Sequence, residues 1–155
     1  MAAPYTIDAS SLVQLQRHYP REVFPGIWGR MEELADDGGV FLPRQAMLEI
    51  ERYSDGLAPW AKGLSGFVQE ATAAEVAIVG EISAAHPGWV VDQKNEADPW
   101  VVANAAVFGR TIVTEESRKG AGTPDRNLRI PNVADRYGLR SLKLLELASE
   151  ERWVF

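Results

Sequence analysis

Short strand-forming runs alternating with longer helix-forming stretches constrain this chain more than any other feature. Tyr5-Thr6-Ile7, Val40-Phe41-Leu42, Trp89-Val90-Val91, Thr111-Ile112-Val113-Thr114 and Arg140-Ser141-Leu142-Lys143 read as strands. Between them, apolar residues recur at helical spacing. A first helix starts near Leu12 and stops at Tyr19-Pro20, and a second covers residues 26–35. Pro43 suits the first position of a helix running through Ala46, Met47, Ile50 and Tyr53. Helices are also expected over residues 57–64, 67–85, 98–109, 132–137 and 145–150. Strands separated by helices imply a parallel sheet covered on both faces, a Rossmann-like three-layer α/β domain. Sheets of this kind bind ligands at the carboxyl ends of their strands.

The size and composition narrow the function. A chain of 155 residues buries about 70% of its unfolded surface, enough for one compact domain spanning residues 1–155. With no Cys, thiolate zinc sites, iron–sulfur clusters, disulfides and a Cys nucleophile are excluded. Sixteen Lys and Arg against 22 Asp and Glu, a net charge of −6, is the wrong sign for a protein that coats nucleic acid non-specifically. The longest apolar run, residues 100–108, is about half a membrane span. The opening MAAPYTIDASS lacks the basic and apolar segments of a signal peptide. A cytoplasmic domain with no membrane segment is expected.

The acidic excess concentrates where such a sheet binds ligands. Asp8 directly follows the first strand, and Glu49 lies in the helix after the second. Asp98 heads a later helix, and Glu115-Glu116 follow the strand ending at Thr114. Carboxylates converging on one sheet edge call for a cation, and hard, oxygen-seeking Mg²⁺ or Mn²⁺ suits them. Each acid also has a structural explanation. Asp98 before Pro99 is a good helix N-cap, and Asp8 with Ser10 and Ser11 makes a plausible cap or turn. Glu49 lies about 60° from Ala46 around its helix, at the border of the apolar stripe.

The blocks Tyr5-Thr6-Ile7-Asp8-Ala9-Ser10-Ser11, Pro43-Arg44-Gln45-Ala46-Met47-Leu48-Glu49-Ile50, Ala97-Asp98-Pro99-Trp100-Val101-Val102-Ala103-Asn104-Ala105 and Ile112-Val113-Thr114-Glu115-Glu116 resemble the PIN-domain ribonucleases in order and spacing. The likeness is closest to a PIN-like branch found in toxin–antitoxin pairs of the VapC kind. Phe24-Pro25 with Trp28, and Ile130-Pro131-Asn132-Val133, are similar to that branch as well. The resemblance implies a PIN domain in which Asp8, Glu49, Asp98 and Glu116 are the catalytic, metal-binding acids for Mg²⁺ or Mn²⁺. It implies supporting roles for Ser10 and Thr114, an RNA substrate, an antitoxin partner and the homodimer common in the family. The family usually has Asp two residues after the Thr. Here Glu116 stands there, beside Glu115, so either Glu is a candidate for the fourth acid. A non-catalytic PIN-like scaffold, and an RNA-processing nuclease outside any toxin–antitoxin pair, are the alternatives.

Other active-site classes lack their residues. Ser10 occupies the place where a haloacid-dehalogenase-like phosphatase needs a second Asp, and no Gly-rich phosphate loop is present. His18 and His86 alone make a His-based zinc site improbable. Immediately after Glu116, Arg118, Lys119, Arg126 and Arg129 stand against the single acid Asp125. Gly120, Gly122 and Pro124 mark that segment as a flexible loop. Its cations are candidate RNA contacts, or a seat for an antitoxin tail. Tyr19, Phe24 and Trp28 offer rings for base stacking, although packing is the commoner use of such residues.

Overall fold

The strand β1 (Tyr5–Ile7) is buried along its whole length, which makes it the centre of the sheet. On one side lie β2 (Val40–Pro43) and then β3 (Val68–Gln69). On the other lie β4 (Thr111–Val113) and then β5 (Ser141–Leu142). The order β3-β2-β1-β4-β5 has every pairing parallel, with Tyr5 opposite Val40 and Thr111. The computed structural model that shows this describes residues 4–54 and 56–155. Its helices are α1 (Ala9–His18), α2 (Pro25–Asp36), α3 (Arg44–Tyr53), α4 (Leu57–Lys62), α5 (Ala73–Ala85), α6 (Asp98–Phe108), α7 (Ile130–Asp135) and α8 (Leu144–Glu150). None of the described helices is long and apolar enough to cross a membrane.

The fold is thus α/β, with a parallel five-stranded sheet flanked by helices, as the alternation of runs implies. Three local expectations differ. Residues 67–85 are not one helix, because Thr72 and Glu75 form a reciprocal capping box that starts α5 at Ala73. The preceding Val68 and Gln69 instead pair with Leu42 and Pro43 as the edge strand. Residues 89–91 do not join the sheet either. Trp89 is a core anchor whose indole N–H donates to the Leu128 carbonyl at 3.1 Å. Val91 pairs only with Lys94, across a tight turn in which Asp92 and Asn95 take positive φ values of 54° and 61°. Pro43 ends β2 one residue before α3 begins rather than opening the helix.

Helix α6 carries the centre of the structure. Val101, Val102, Ala103 and Ala105 are fully or almost fully buried, and the helix packs on β1, β2 and β4 as well as α3, α5 and α7. A helix surrounded on so many sides needs small apolar residues nearly all round. Asn104 is its buried exception. Its side chain accepts from Thr6 Oγ1 at 2.7 Å and from Arg110 at 2.9 Å, and donates to Glu75 at 3.0 Å and Gln69 at 3.1 Å. Arg110 is itself buried, with Phe41 and Phe108 rings within 4.2 Å of its guanidinium carbon. This network pins α6 to β1, β3 and α5, and so sets where the N-terminus of α6 meets the sheet edge.

From β1 the chain crosses to β2, whereas from β4 it crosses to β5 on the opposite side. The adjacent strands β1 and β4 therefore form the topological switch point, and the crevice beyond their carboxyl ends is the expected ligand position.

Candidate functional site

Asp8 leaves β1 at this crevice and caps α1. Its Oδ1 accepts the Ser11 amide at 3.0 Å, and its Oδ2 accepts the Thr114 hydroxyl at 2.6 Å. The Ser10 hydroxyl bridges both oxygens at 2.8 and 2.9 Å. Those two hydroxyls accept in turn from the amides of Glu115 and Glu116, each at 3.1 Å. Asp8 is therefore a cap and also the hub that fixes the turn after β4. Ser10 and Thr114 support it directly.

Asp98 is the first residue of α6, but it does not cap it. Ala97 holds the N-cap position and no side chain makes the capping bond. Among the described residues the Asp98 carboxylate has no hydrogen-bond partner, although it is only 8% exposed. A buried carboxylate without a donor is costly. Glu49 projects from the second turn of α3 and is half-buried. The two consecutive glutamates diverge. Glu115 accepts the Leu144 amide at 2.7 Å and so caps α8. Glu116 accepts the Ile130 amide at 2.8 Å, at the start of α7, while facing the other acids. The first of the pair is thus spent on structure.

The electrostatics tie four of these acids together. Burial, opposed by the Thr114 hydrogen bond and aided by the Glu116 charge, raises the Asp8 pKa from its ordinary 3.8 to about 6. Burial, followed by the charges of Glu116, Asp8 and Glu49, holds the Asp98 carboxyl well above its usual range. Glu49 is raised by burial and then by Asp8, and Glu116 is raised by burial against the Ile130 hydrogen bond. Arg129 is the cation whose charge lowers both Asp98 and Glu116.

All-oxygen donors, partly desolvated and mutually repelling, are chemically suited to Mg²⁺ or Mn²⁺. As the side chains stand, however, no three Asp, Glu or His among the described residues form a cluster that could hold a metal ion. Asp8 is held by its three donors and Glu116 by the Ile130 amide. The chemistry of the donor set, all carboxylate oxygen, nonetheless suits a hard divalent ion.

Residues 117–129 are tied down more firmly than a flexible loop. Arg118 makes a two-pronged ion pair with Asp135 at 2.6 and 2.7 Å. Asn132 holds the backbone of Lys119 on both sides, and a 3₁₀ turn forms at Asp125–Asn127. Arg118 is consequently engaged, Lys119 and Arg126 are exposed, and Arg129 is half-buried beside the acids. The rings near the start of the chain divide as packing would have them. Trp28 is buried with its N–H on the Tyr19 carbonyl, and Tyr19 and Phe24 meet edge-on.

Reading the sequence missed the far wall of the crevice. A cleft of about 190 Å³ that includes Glu49, Asp98 and Glu116 extends to Tyr53, Trp100 and Gln93. Two of these had a detectable signal, since Tyr53 lies one helical turn beyond Glu49 and Trp100 two residues beyond Asp98.

The sequence profile of a family described as "Domain of unknown function (DUF4411)" matches residues 5–155. No curated protein matches the chain. Among solved structures, the fold is similar to a chain in the crystal structure of VapBC2 from Rickettsia felis bound to a DNA fragment from their promoter. The TM-score is 0.54, over 90% of this chain and 97% of that one, at 13% sequence identity. Likeness at that identity concerns the fold.

Proposed function

The chain belongs to the DUF4411 family, and on this fold we propose that residues 1–155 act as one PIN-like domain, a metal-dependent ribonuclease and the toxin of a toxin–antitoxin pair. The reading rests chiefly on Asp98, a buried carboxylate with no hydrogen-bond donor, set among Asp8, Glu49 and Glu116 at the switch point of the sheet. The four acids would hold Mg²⁺ or Mn²⁺, which when bound neutralises their charge and steadies the charge that builds on the phosphoryl oxygens.

The protein's own residues supply orientation and proton transfer. Asp8, fixed by Ser10, Ser11 and Thr114, is a positioning residue. Asp98, free of donors, takes the proton from the attacking water. The water oxygen bonds to phosphorus as the bond to the 3′ oxygen breaks. That oxygen leaves as a 3′-hydroxyl with a proton from solvent, and the other product carries a 5′-phosphate. Arg129 beside Asp98 and Glu116 is the best placed of the basic residues to meet a flanking phosphate, with Lys119 and Arg126 farther out and Arg118 available only on release from Asp135.

Purified protein incubated with single-stranded RNA and Mn²⁺ should yield 5′-phosphate ends, and a chelator should abolish cleavage. RNA left intact at every metal concentration would overturn the nuclease reading. The two glutamates provide a second test. Glu116→Gln should reduce cleavage by about 10²-fold or more. Glu115→Gln should leave it within a few fold and lower stability by about 0.5–1 kcal/mol through the weakened α8 cap. Cleavage assays and urea titrations of both variants check this, and equal losses of activity would reassign the fourth acid.

An antitoxin partner is supported by an apolar groove of about 540 Å³. Val23, Phe24, Leu145, Val154 and Phe155 around it are 43–82% exposed. The same face would serve a homodimer or, without cleavage, a partner-binding scaffold. Co-purification with the protein encoded beside it, weakened by Phe24→Ser, is the expected result for an antitoxin.

A further inference from the structure

The cleft that contains Glu49, Asp98 and Glu116 continues outward to Tyr53, Trp100 and Gln93. This outer part is aromatic and polar but offers no free cation among the described residues. Arg52 sits 5.9 Å from the Tyr53 ring centroid, and its guanidinium is paired with Glu96 at 3.2 Å. A phosphate would gain little here, whereas a neutral, flat, hydrogen-bonding ligand suits the lining. Tyr53 is 67% exposed at the end of α3, and Arg52 over its ring accounts for one face only, which leaves the other for a stacking partner. The indole N–H groups of Trp28, Trp60 and Trp89 each meet an acceptor, while those of Trp100 and Trp153 meet none among the described residues, and of these two Trp100 lines the cleft. Asn95, in the left-handed region at φ 61°, also lines the cleft and is fixed by donating to the Trp89 carbonyl at 2.8 Å. A space of about 190 Å³ is too narrow for a duplex and smaller than most drug-sized pockets.

From this arrangement we propose that Tyr53 and Trp100 form a binding subsite for one unpaired nucleobase, next to the carboxylates. Tyr53 supplies a stacking face, and the Trp100 N–H with the Gln93 amide supplies hydrogen bonds to the base edge. The proposal rests on the nuclease reading for its substrate and adds that the RNA must be single-stranded, with one base splayed into the cleft. It also explains how an acidic surface holds RNA: a base carries no charge for the carboxylates to repel.

The test is fluorescence anisotropy of a labelled single-stranded RNA octamer, with Ca²⁺ in place of Mg²⁺, alongside cleavage with Mn²⁺. Tyr53→Ala is expected to weaken single-strand binding about tenfold, the loss of one stacked base. Tyr53→Phe should retain wild-type affinity. Trp100→Phe, which keeps the packing, should lose only the hydrogen bond and weaken binding about threefold. The same octamer annealed to its complement should bind weakly to every form. The shift in melting temperature produced by Mn²⁺ should be the same in Tyr53→Ala as in wild type, since Tyr53 is not among the acids. Wild-type affinity in Tyr53→Ala would overturn the subsite, as would failure of wild type to bind any single strand. Tyr53-dependent binding without cleavage under any metal would uphold the subsite and overturn the nuclease reading instead.

Discussion

Asp8→Asn should lower RNA cleavage by about 10²–10⁴-fold while leaving a folded protein that, without metal, is more stable than wild type at pH 7.5. The two effects have one cause. In the metal-free protein Asp8 is desolvated and lies near Glu116, so its folded-state pKa of about 6 stands above the ordinary 3.8. A carboxyl raised in this way contributes most to stability when protonated. That contribution is complete below pH ~4 and disappears as the pH rises through about 6. At pH 7.5 the ionised side chain costs about 2–3 kcal/mol relative to a neutral isostere. Asparagine avoids that cost and its oxygen can still cap the Ser11 amide. Its NH₂ group then faces the Ser10 and Thr114 hydroxyls, which can turn to accept. Urea denaturation of both proteins in chelator between pH 4 and 8 checks the sign. The stability advantage of the variant should grow with pH across that window. A constant difference would mean that Asp8 does not titrate there. Adding Mn²⁺ should reverse the order, because wild type gains binding energy that the variant loses.

The largest loss of stability is expected away from the crevice, at Asn104. Asn104→Leu keeps the branched shape of the side chain but leaves Thr6 Oγ1, Arg110, Gln69 and Glu75 without their shared partner. Glu75 and Arg110 are 2% and 5% exposed, so two buried charged groups would each lose one partner, Arg110 keeping Gln69 and Glu75 keeping Thr72. The expected cost is about 3–5 kcal/mol, measured as a lower urea midpoint with an unchanged slope. A cost below about 1 kcal/mol would show that the network relaxes around the leucine at little expense. Since the network pins α6 to the sheet, the variant should also bind Mn²⁺ more weakly even where it remains folded.

Local sequence carried much of the architecture. Val40-Phe41-Leu42 and Thr111-Ile112-Val113 are strands because the chemistry of buried parallel strands lies in the residues themselves. The edge strand did not announce itself. Val68 and Gln69 stand shortly before an Ala- and Glu-rich helix, and only pairing with Leu42 and Pro43 makes them β. Trp89-Val90-Val91 is the converse case: β-prone residues whose Trp is drawn into the core while the following turn curls back on itself.

The positions of the acids followed the same division. That Asp8, Glu49, Asp98 and Glu116 lie at strand ends or in the helices beside them depends on sequence spacing alone, since the order of elements places them there. Their differing roles depend on which donors reach them through space. Asp98, which the sequence presents as a helix cap, has no capping bond and faces the other acids. Glu115 and Glu116 are chemically identical neighbours, and one caps α8 whereas the other also joins the acidic group. Arg118, one of the loop cations, is held by Asp135 from α7. Periodicity and residue type act over a few residues and are written into the chain. Hydrogen-bond partners, burial and neighbouring charges come from segments far apart in the chain, 106 residues in the case of Asp8 and Thr114, and exist only once the sheet has brought them together.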